Sequence, residues 1–274
     1  MQIRTVSDDR KILSCKGKKR LCRERCKQYV ISKNAFLRME DIMSVLVDCS
    51  ELNKSYGRKQ VLTKLNMKIE SGRIIGLLGP NGSGKTTFIK ILSGVLKKDS
   101  GEVSIMGLPI GIETKKIVSY LPERAYFSPS MKVKETLNFF EDFYKDFNRK
   151  TAEEMLGRLE ISTESKIKEL SKGTREKVQL VLVMSREAKL YLLDEPMGGV
   201  DPAARDYILR TILSNYNPEA SIIISTHLIS DVEKVLDEVI FVKNGQIVLQ
   251  ETVDQIRDKH QKSVDGLFRE VFAC

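Results

Sequence analysis

The stretch 73-RIIGLLGPNGSGKTT-87 decides the fold of this chain. An apolar run typical of a buried strand ends at a glycine, and Gly79 to Thr86 fits the pattern G-x-x-x-x-G-K-[ST] in full. Apolar residues then recur with helical spacing. A strand, a glycine-rich loop and a helix in this order predict a phosphate-binding loop, with the helix running from Lys85 to Leu96.

The residue types in this loop suit the chemistry of a nucleotide site. Glycines let the backbone turn so that successive N–H groups point at phosphate oxygens. We expect Lys85 to contact the β- and γ-phosphates and the hydroxyl group of Thr86 to ligate Mg²⁺. A glycine-rich turn that binds no nucleotide is the alternative. The predicted nucleotide-binding residues of the loop are Gly79, Asn81, Gly82, Ser83, Gly84, Lys85, Thr86 and Thr87.

Strand and helix patterns alternate along the chain from residue 45 onward. Short β-rich runs precede the loop, and residues 132–170 have helical character throughout, with a break near Asn148 and Thr151 as the expected cap of a new helix. Apolar strands joined by helices predict a parallel sheet. We therefore expect an α/β fold: a P-loop NTPase parallel sheet core with an N-terminal antiparallel β subdomain and an inserted α-helical subdomain over about residues 124–180.

Two further strand patterns end in residues that suit hydrolysis. The run 190-LYLLDEP-196 carries Asp194 and Glu195 to the C-terminal edge of a buried strand, where open α/β sheets bind ligands. We predict that Asp194 holds Mg²⁺ through water and that Glu195 acts as general base on the attacking water. His227 follows a second apolar strand, which would place it beside the γ-phosphate. An ordinary acidic strand end and a structural histidine are the alternatives.

Positive charge is concentrated at the N-terminus of the 274-residue chain. Of the net charge of +9, residues 1–42 contribute +7, from twelve Lys and Arg against five Asp and Glu. We expect a basic extension over 1–42, disordered or preceding a natural start at Met39 or Met43, and a folded domain over 43–274. A basic arm for acidic lipid or RNA is the alternative for the extension.

From about Val45 to Gln250 the sequence resembles the ATPase subunits of ABC transporters, with every motif in the family's order. Tyr56 matches the family's aromatic residue that stacks on adenine, and Asp201 matches a loop that crosses between subunits. His227 matches the switch histidine. The resemblance therefore implies an ABC-type ATPase domain over 43–274.

The segment 170-LSKGT-174 matches the family signature, usually written LSGGQ. Ser171 and the N–H group of Gly173 would open a helix, so a hydroxyl group, an amide and a positive dipole end meet at one place. The resemblance implies that Ser171 and Gly173 point away from their own phosphate loop. It assigns the signature residues Ser171, Lys172 and Gly173 to the ATP held by a partner subunit, where Ser171 and Gly173 contact the γ-phosphate and Lys172 adds positive charge. Two ATP molecules would then lie between two subunits arranged head to tail.

Two departures from the family pattern affect the expected activity. Lys172 replaces the first variable glycine of the signature and Thr174 its glutamine, whereas the serine and the second glycine remain. Glu123 stands where the family usually has glutamine, close to the metal. A carboxylate there would bind Mg²⁺ more strongly but repel the γ-phosphate, so we expect slow basal hydrolysis that is unusually sensitive to Mg²⁺. The expected metal-binding residues are Thr86, Glu123 and Asp194.

The resemblance implies an ATP-binding and hydrolysing subunit that powers export through separate membrane-spanning permease subunits, because no apolar run in the sequence reaches the roughly 18 to 20 residues that span a bilayer. It also implies a homodimer, or a heterodimer with a related ATPase, at the cytoplasmic face of the cell membrane. The permease would dock at 124-RAYFSPSM-131 and the helical insert. A soluble ABC-type ATPase acting on the ribosome or on nucleic acid is the alternative, and no nucleic-acid partner is expected.

Overall fold

The computed structural model describes residues 45–124, 126–198, 202–214 and 219–273. These residues belong to one compact unit that begins at Val45. The predicted extension over 1–42 and the predicted inter-subunit residue Asp201 lie outside the described residues.

Strands and helices follow one another in α/β order. The strands are β1 (Val45–Tyr56), β2 (Lys59–Glu70), β3 (Ile74–Leu78), β4 (Ser100–Ile105), β5 (Leu108–Pro109), β6 (Val118–Leu121), β7 (Leu190–Asp194), β8 (Ser221–Thr226), β9 (Glu238–Lys243) and β10 (Gln246–Thr252). The α-helices are α1 (Lys85–Leu92), α2 (Ile112–Ile117), α3 (Val133–Phe143), α4 (Arg149–Arg158), α5 (Lys172–Met184), α6 (Pro202–Ser214), α7 (Ile229–Val232), α8 (Val253–His260) and α9 (Val264–Phe272). Within the described ranges, no helix combines the length and apolar composition needed to cross a bilayer.

The described strands form two sheets. Antiparallel pairing joins four of them in the order β2-β1-β4-β5, and the other six lie in the order β10-β9-β3-β8-β7-β6. Neighbours in the second sheet are parallel, except for the β9–β10 hairpin, whose Asn244-Gly245 turn has positive φ at both residues. The predicted α/β fold, a parallel core with an antiparallel β subdomain and a helical insert, is confirmed.

The central strands β3, β7 and β8 are buried along their whole length because other elements cover both faces of the parallel sheet. On one face, Leu192 and Ile223 pack in a core with Phe88 of α1 and residues of the antiparallel sheet. On the other face, Leu193 and Ile224 pack in a core with the helical insert and the C-terminal helices. Polar side chains of these strands are therefore concentrated at their ends.

Helix α1 is shorter than the predicted helix from Lys85 to Leu96. It ends at Leu92, and Gly94 follows with a φ of 70°. Glycine adopts this left-handed conformation easily, and it lets the last carbonyl groups of a helix find new donors. Here the N–H groups of Val95 and Leu96 both bond to the carbonyl oxygen of Lys90.

The sequence predicted helical structure throughout residues 132–170, but the insert contains separate helices, α3 and α4, within this range. The predicted cap, Thr151, is also wrong. Asn148 caps α4: its side chain accepts a hydrogen bond from the backbone N–H of Thr151 at 3.1 Å. Asparagine is favoured at this position because its short side chain reaches the third N–H group of the helix. After α4, Glu160 adopts a φ of 56°, which breaks the helical path.

Arg186, which follows α5, joins the helical insert to the parallel sheet. Its guanidinium group donates to the carbonyl oxygens of Val118 at 2.6 Å and Lys116 at 3.0 Å, and it forms an ion pair with Asp146 at 2.9 Å. The guanidinium carbon lies 3.8 Å from the ring centroid of Tyr144. Because the Arg186 side chain is only 2% exposed, its loss would leave the Asp146 carboxylate and two carbonyl groups without this partner.

Replacing Arg186 with Ala should lower the free energy of unfolding by about 3–5 kcal/mol, the range for breaking a buried ion pair. Urea denaturation followed by circular dichroism measures the change. Lys150→Ala is the control, because Lys150 is 87% exposed in its 4.0 Å pair with Glu154, and we expect less than about 0.5 kcal/mol there. Equal losses in the two variants would show that apolar packing alone attaches the insert.

Candidate active site

The glycines between β3 and α1 stand where a side chain has no room. A Cβ atom at Gly79 would lie 2.3 Å from the carbonyl oxygen of Val242 in β9. Gly84, the residue that caps α1, has a φ of 112°, and its Cβ atom would lie 2.8 Å from the Leu62 side chain. Both positions therefore require glycine, and together they fix the loop at the N-terminus of α1.

Lys85 extends its side chain back along the loop. Its ammonium group donates to the carbonyl oxygens of Gly79 at 2.7 Å and Pro80 at 3.2 Å. Burial lowers the pKa of Lys85, and the carboxylates of Glu195 and Asp194 partly offset this shift. The residue is 6% exposed, so its charge is held inside the loop at the place where a phosphate group would sit.

Asp194, at the end of β7, is the centre of the polar contacts at the sheet edge. Its Oδ1 atom accepts hydrogen bonds from the hydroxyl groups of Thr86 at 3.0 Å and Ser225 at 2.6 Å. Its Oδ2 atom is buried and has no hydrogen-bond partner among the described residues. Burial raises the pKa of Asp194, and the nearby Glu123 carboxylate raises it further. The hydrogen bonds from Ser225 and Thr86 lower this pKa and so offset part of the shift. A cation would compensate this buried carboxylate.

Glu195 and His227 form a pair beside Asp194. The Nδ1 atom of His227 lies 3.0 Å from the Oε2 atom of Glu195. The backbone N–H of Glu195 bonds to the carbonyl oxygen of Ser225 at 3.0 Å, and Glu195 has a φ of 51°. The hydrogen bond to Ser225 helps to hold Glu195 in this left-handed conformation.

One cavity of about 900 Å³ brings most of the predicted site residues together. Ten of its lining residues were predicted from the sequence: Asn81, Gly82, Gly84, Lys85, Thr86, Thr87, Glu123, Lys172, Glu195 and His227. Six further lining residues were not predicted: Lys59, Val61, Arg124, Arg175, Glu176 and Gly198. Asp194, Gly79 and Ser83 are buried and do not line this cavity. Like Asp194 Oδ2, Ser83 Oγ is a buried oxygen without a hydrogen-bond partner among the described residues.

Comparison with known proteins identifies the family. The family model described as ABC transporter matches residues 62–198, half of the chain. The chain belongs to the ABC transporter ATP-binding family. It is 36% identical over 220 residues to the ABC transporter ATP-binding protein YdbJ of Bacillus subtilis (strain 168), an alignment that covers 76% of this chain and 70% of the relative.

Two other relatives agree with this ABC transporter assignment. The SkfA peptide export ATP-binding protein SkfE of Bacillus subtilis (strain 168) is 30% identical over 220 residues, covering 78% of this chain and 92% of the relative. A solved structure of the ATP-binding subunit of an ABC transporter has a TM-score of 0.73 and 29% identity, covering 82% of this chain and 99% of the other. The protein is thus an ABC transporter ATP-binding subunit.

The signature of this ABC subunit lies at the start of α5. Ser171 caps the helix: its Oγ atom accepts a hydrogen bond from the N–H of Thr174 at 3.1 Å. Neither Ser171 nor Gly173 lines the cavity of its own chain. Lys172 does line it, whereas the sequence analysis grouped this residue with the signature that contacts a partner's ATP. Its long side chain extends along α5, with Nζ 3.8 Å from a carboxylate oxygen of Glu176.

Tyr56, expected to stack on adenine, lies at the hairpin between β1 and β2. It is 50% exposed and does not line the cavity, although the neighbouring Lys59 and Val61 do. The ammonium group of Lys54 lies 5.8 Å from the centroid of the Tyr56 ring. The ring is accessible to a base but is not enclosed with the phosphate loop.

Ser225 is a contributor that the sequence analysis missed. It pairs directly with Asp194 in the β7–β8 register and contacts both Asp194 and Glu195 through its hydroxyl oxygen. The available signal was the serine at the end of an apolar strand, two residues before His227. Polar residues at a C-terminal strand edge are candidates for a site in an open α/β sheet.

Glu123 is a predicted metal-binding residue, and we expect Glu123→Gln to raise ATP turnover. It should also raise the Mg²⁺ concentration for half-maximal activity by about tenfold, the range for the loss of a group that supports a metal site. The carboxylate lines the cavity and acts electrostatically on Asp194, so its loss removes both repulsion of phosphate and attraction of cations. Steady-state hydrolysis at graded Mg²⁺ is the measurement. Glu113→Gln, on the exposed surface of α2, should leave both quantities unaltered. An unchanged Mg²⁺ titration and turnover in Glu123→Gln would remove the special role of this carboxylate.

Proposed function

We propose that this ABC transporter subunit binds Mg²⁺-ATP in its cavity, hydrolyses it, and drives export of a substrate through separate membrane-spanning permease subunits. The observation that carries the proposal is that Lys85 and Glu195 line one cavity, while Asp194, next to Glu195, accepts a hydrogen bond at 3.0 Å from Thr86, next to Lys85. These side chains come from two strand ends more than a hundred residues apart in sequence. An ammonium group, a buried carboxylate and a second carboxylate suit binding and hydrolysis of a metal triphosphate.

The loop residues would bind the phosphate groups. Oxygens of ATP would replace the carbonyl oxygens of Gly79 and Pro80 as acceptors for the Lys85 ammonium group. Gly82 has a φ of 79° and its Cβ direction is open, so the loop backbone can approach a ligand closely at this residue. The N-terminus of α1 adds a favourable dipole for the negative charge.

The donor set at Asp194 fits Mg²⁺. This ion prefers oxygen ligands and in ATP sites is held by one or two protein oxygens together with phosphate and water. Asp194 offers a buried oxygen without a partner among the described residues, Thr86 offers a hydroxyl group, and Glu123 lines the same cavity. When bound, Mg²⁺ would neutralise charge that develops on the phosphate oxygens. Asp194 and Thr86 would hold the ion, with Glu123 beside it.

Glu195 and His227 would act on the reacting water and phosphate. The Glu195 carboxylate would accept a proton from the attacking water. The backbone N–H of Glu195 donates to both the carbonyl oxygen and the hydroxyl oxygen of Ser225, which holds the residue in place. His227 lies on the cavity wall with Nδ1 on Glu195, which leaves its other ring nitrogen for the γ-phosphate. The pair therefore combines a general base with a group that orients it.

A second subunit would complete each site. Ser171 and Gly173 are exposed or half-buried at the start of α5 and are absent from the lining of their own cavity, so they are available to a triphosphate bound by another subunit. Lys172 would add positive charge at that interface. We propose a head-to-tail homodimer, or a heterodimer with a related ATPase.

Export through permease subunits rests on the relatives and on an aromatic surface. The name of SkfE describes export of a peptide. Tyr126, at the start of the insert, and Phe139 and Phe143, on its helix α3, are exposed large hydrophobic residues in the region where we expect the permease to dock at the membrane. The transporter family of the chain favours this function over an ATPase acting on the ribosome or on nucleic acid.

Glu195→Gln should lower the rate of ATP turnover at least about a hundredfold, because it removes the general base. The variant should also accumulate as a dimer with ATP bound. The amide keeps the shape of the side chain but cannot accept the proton from water. Light scattering after gel filtration with Mg²⁺-ATP measures the mass. Glu251→Gln is the matched control, since Glu251 also pairs with a histidine, His260 at 3.2 Å, but lies outside the cavity lining. A Glu195→Gln variant that stays monomeric with bound ATP would count against the two-subunit site.

The partner is tested separately by isolating the tagged chain from membranes of its native cell. Mass spectrometry should find a membrane protein with several predicted spanning helices, and its recovery should fall when Phe139 and Phe143 are both replaced by Ser. Recovery with ribosomes or nucleic acid, unaffected by those substitutions, would replace the transport proposal with the alternative.

A further inference from the structure

Tyr120 of β6 has a buried hydroxyl group that has no role in the ATP hydrolysis proposed above. Its Oη atom is buried and without a hydrogen-bond partner among the described residues, and the same is true of Asp194 Oδ2. Leaving a buried polar atom unpaired is costly, and a position where this occurs in a folded protein calls for a ligand or a water molecule.

The strand register brings Tyr120 to the same face of the sheet as Asp194. Tyr120 pairs with Leu192 in the parallel β6–β7 ladder, and Asp194 stands two residues beyond Leu192. Side chains alternate between faces along a strand, so Tyr120, Leu192 and Asp194 share one face. That face is covered by α1, because Leu192 and the Tyr120 ring both pack in the core that contains Phe88.

The first turn of α1 contacts Asp194 on this face of the sheet. Thr86, in the first turn of this helix, already donates its hydroxyl hydrogen to Asp194 Oδ1. Glu123 follows Tyr120 by three residues and lines the cavity. Burial raises the pKa of Tyr120, and the carboxylates of Asp194 and Glu123 raise it further, so the phenol keeps its proton and is available as a donor.

We propose that Tyr120 is a positioning residue of the metal site: its hydroxyl group donates a hydrogen bond to a water molecule that Asp194 Oδ2 also binds, and this water belongs to the hydration shell of Mg²⁺. The inference rests on the proposed Mg²⁺-ATP function and adds a residue to it. Mg²⁺ retains several waters in ATP sites, so donors and acceptors that hold those waters determine its affinity. Tyr120 provides the donor that orients one of them.

Tyr120→Phe removes only this hydroxyl group, and Tyr191→Phe is its matched control. Tyr191 lies in the adjacent strand β7 on the opposite face from Asp194, where its hydroxyl group donates to the carbonyl oxygen of Arg186. The binding of a non-hydrolysable ATP analogue to both variants and to the unmodified chain is measured by calorimetry at graded Mg²⁺. In Tyr120→Phe the half-saturating Mg²⁺ concentration should rise about tenfold, with analogue affinity in EDTA unchanged. Tyr191→Phe should bind Mg²⁺ as the unmodified chain does.

Thermal unfolding without nucleotide separates a positioning role from a structural one. Tyr120→Phe should keep or raise the Tm, because it removes an unpaired buried oxygen, whereas Tyr191→Phe should lower it by several degrees through loss of a buried hydrogen bond. An unchanged Mg²⁺ titration in Tyr120→Phe, or a Tm loss equal to that of Tyr191→Phe, would overturn this inference alone. If the unmodified chain bound no analogue at any Mg²⁺ concentration, the ATPase proposal would fail with it.

Discussion

The buried carboxylate of Asp194 is the constraint on which the site depends. It receives hydrogen bonds from Thr86 at the start of α1 and from Ser225 near the end of β8, so it ties a strand, a helix and a second strand at one point. Its second oxygen has no partner among the described residues. Burying an ionised group in this way costs free energy that the rest of the fold has to offset. The extensive apolar cores on both sheet faces provide that stability.

The strand order explains why residues far apart in sequence meet at this edge. Strands β3, β8 and β7 are neighbours in the parallel sheet, and their C-terminal ends lead to Gly79, His227 and Glu195 respectively. Parallel strands place all these ends on one side, so residues of the phosphate loop, Glu195 and His227 line one cavity, with Asp194 buried next to Glu195. The helical insert adds the signature helix, and Arg186 fixes the insert to β6 through the carbonyl group of Val118.

Much of this site could be predicted from local sequence because its parts are short motifs at strand ends. The motifs correctly placed four residues in the cavity: Lys85, Thr86, Glu195 and His227. An apolar strand followed by a polar residue shows which way the strand runs and at which end the polar side chain lies. Contacts that depend on strand register could not be predicted this way. The sequence marks Ser225 as a polar residue near a strand end, but its contact with Asp194 follows only from the pairing of β7 with β8.

Other features depended on side-chain paths and loop geometry. Lys172 reaches its own cavity because a long side chain can extend along α5, which a family motif does not specify. The observed cap of α4, Asn148, lies three residues before the predicted cap, Thr151. Asn and Thr both suit this position, and only the loop geometry selects between them. The sequence indicated no role for Arg186, because its burial depends on tertiary packing.

Crystals grown with Mn²⁺ and a non-hydrolysable ATP analogue test the central claim most directly, because Mn²⁺ takes oxygen ligands as Mg²⁺ does and its anomalous scattering marks its position. We expect an anomalous peak beside Asp194 Oδ2 and the Thr86 hydroxyl group, with the triphosphate surrounded by residues 79–87. A metal bound elsewhere, or a triphosphate that leaves Lys85 on the carbonyl oxygens of its own loop, would contradict it.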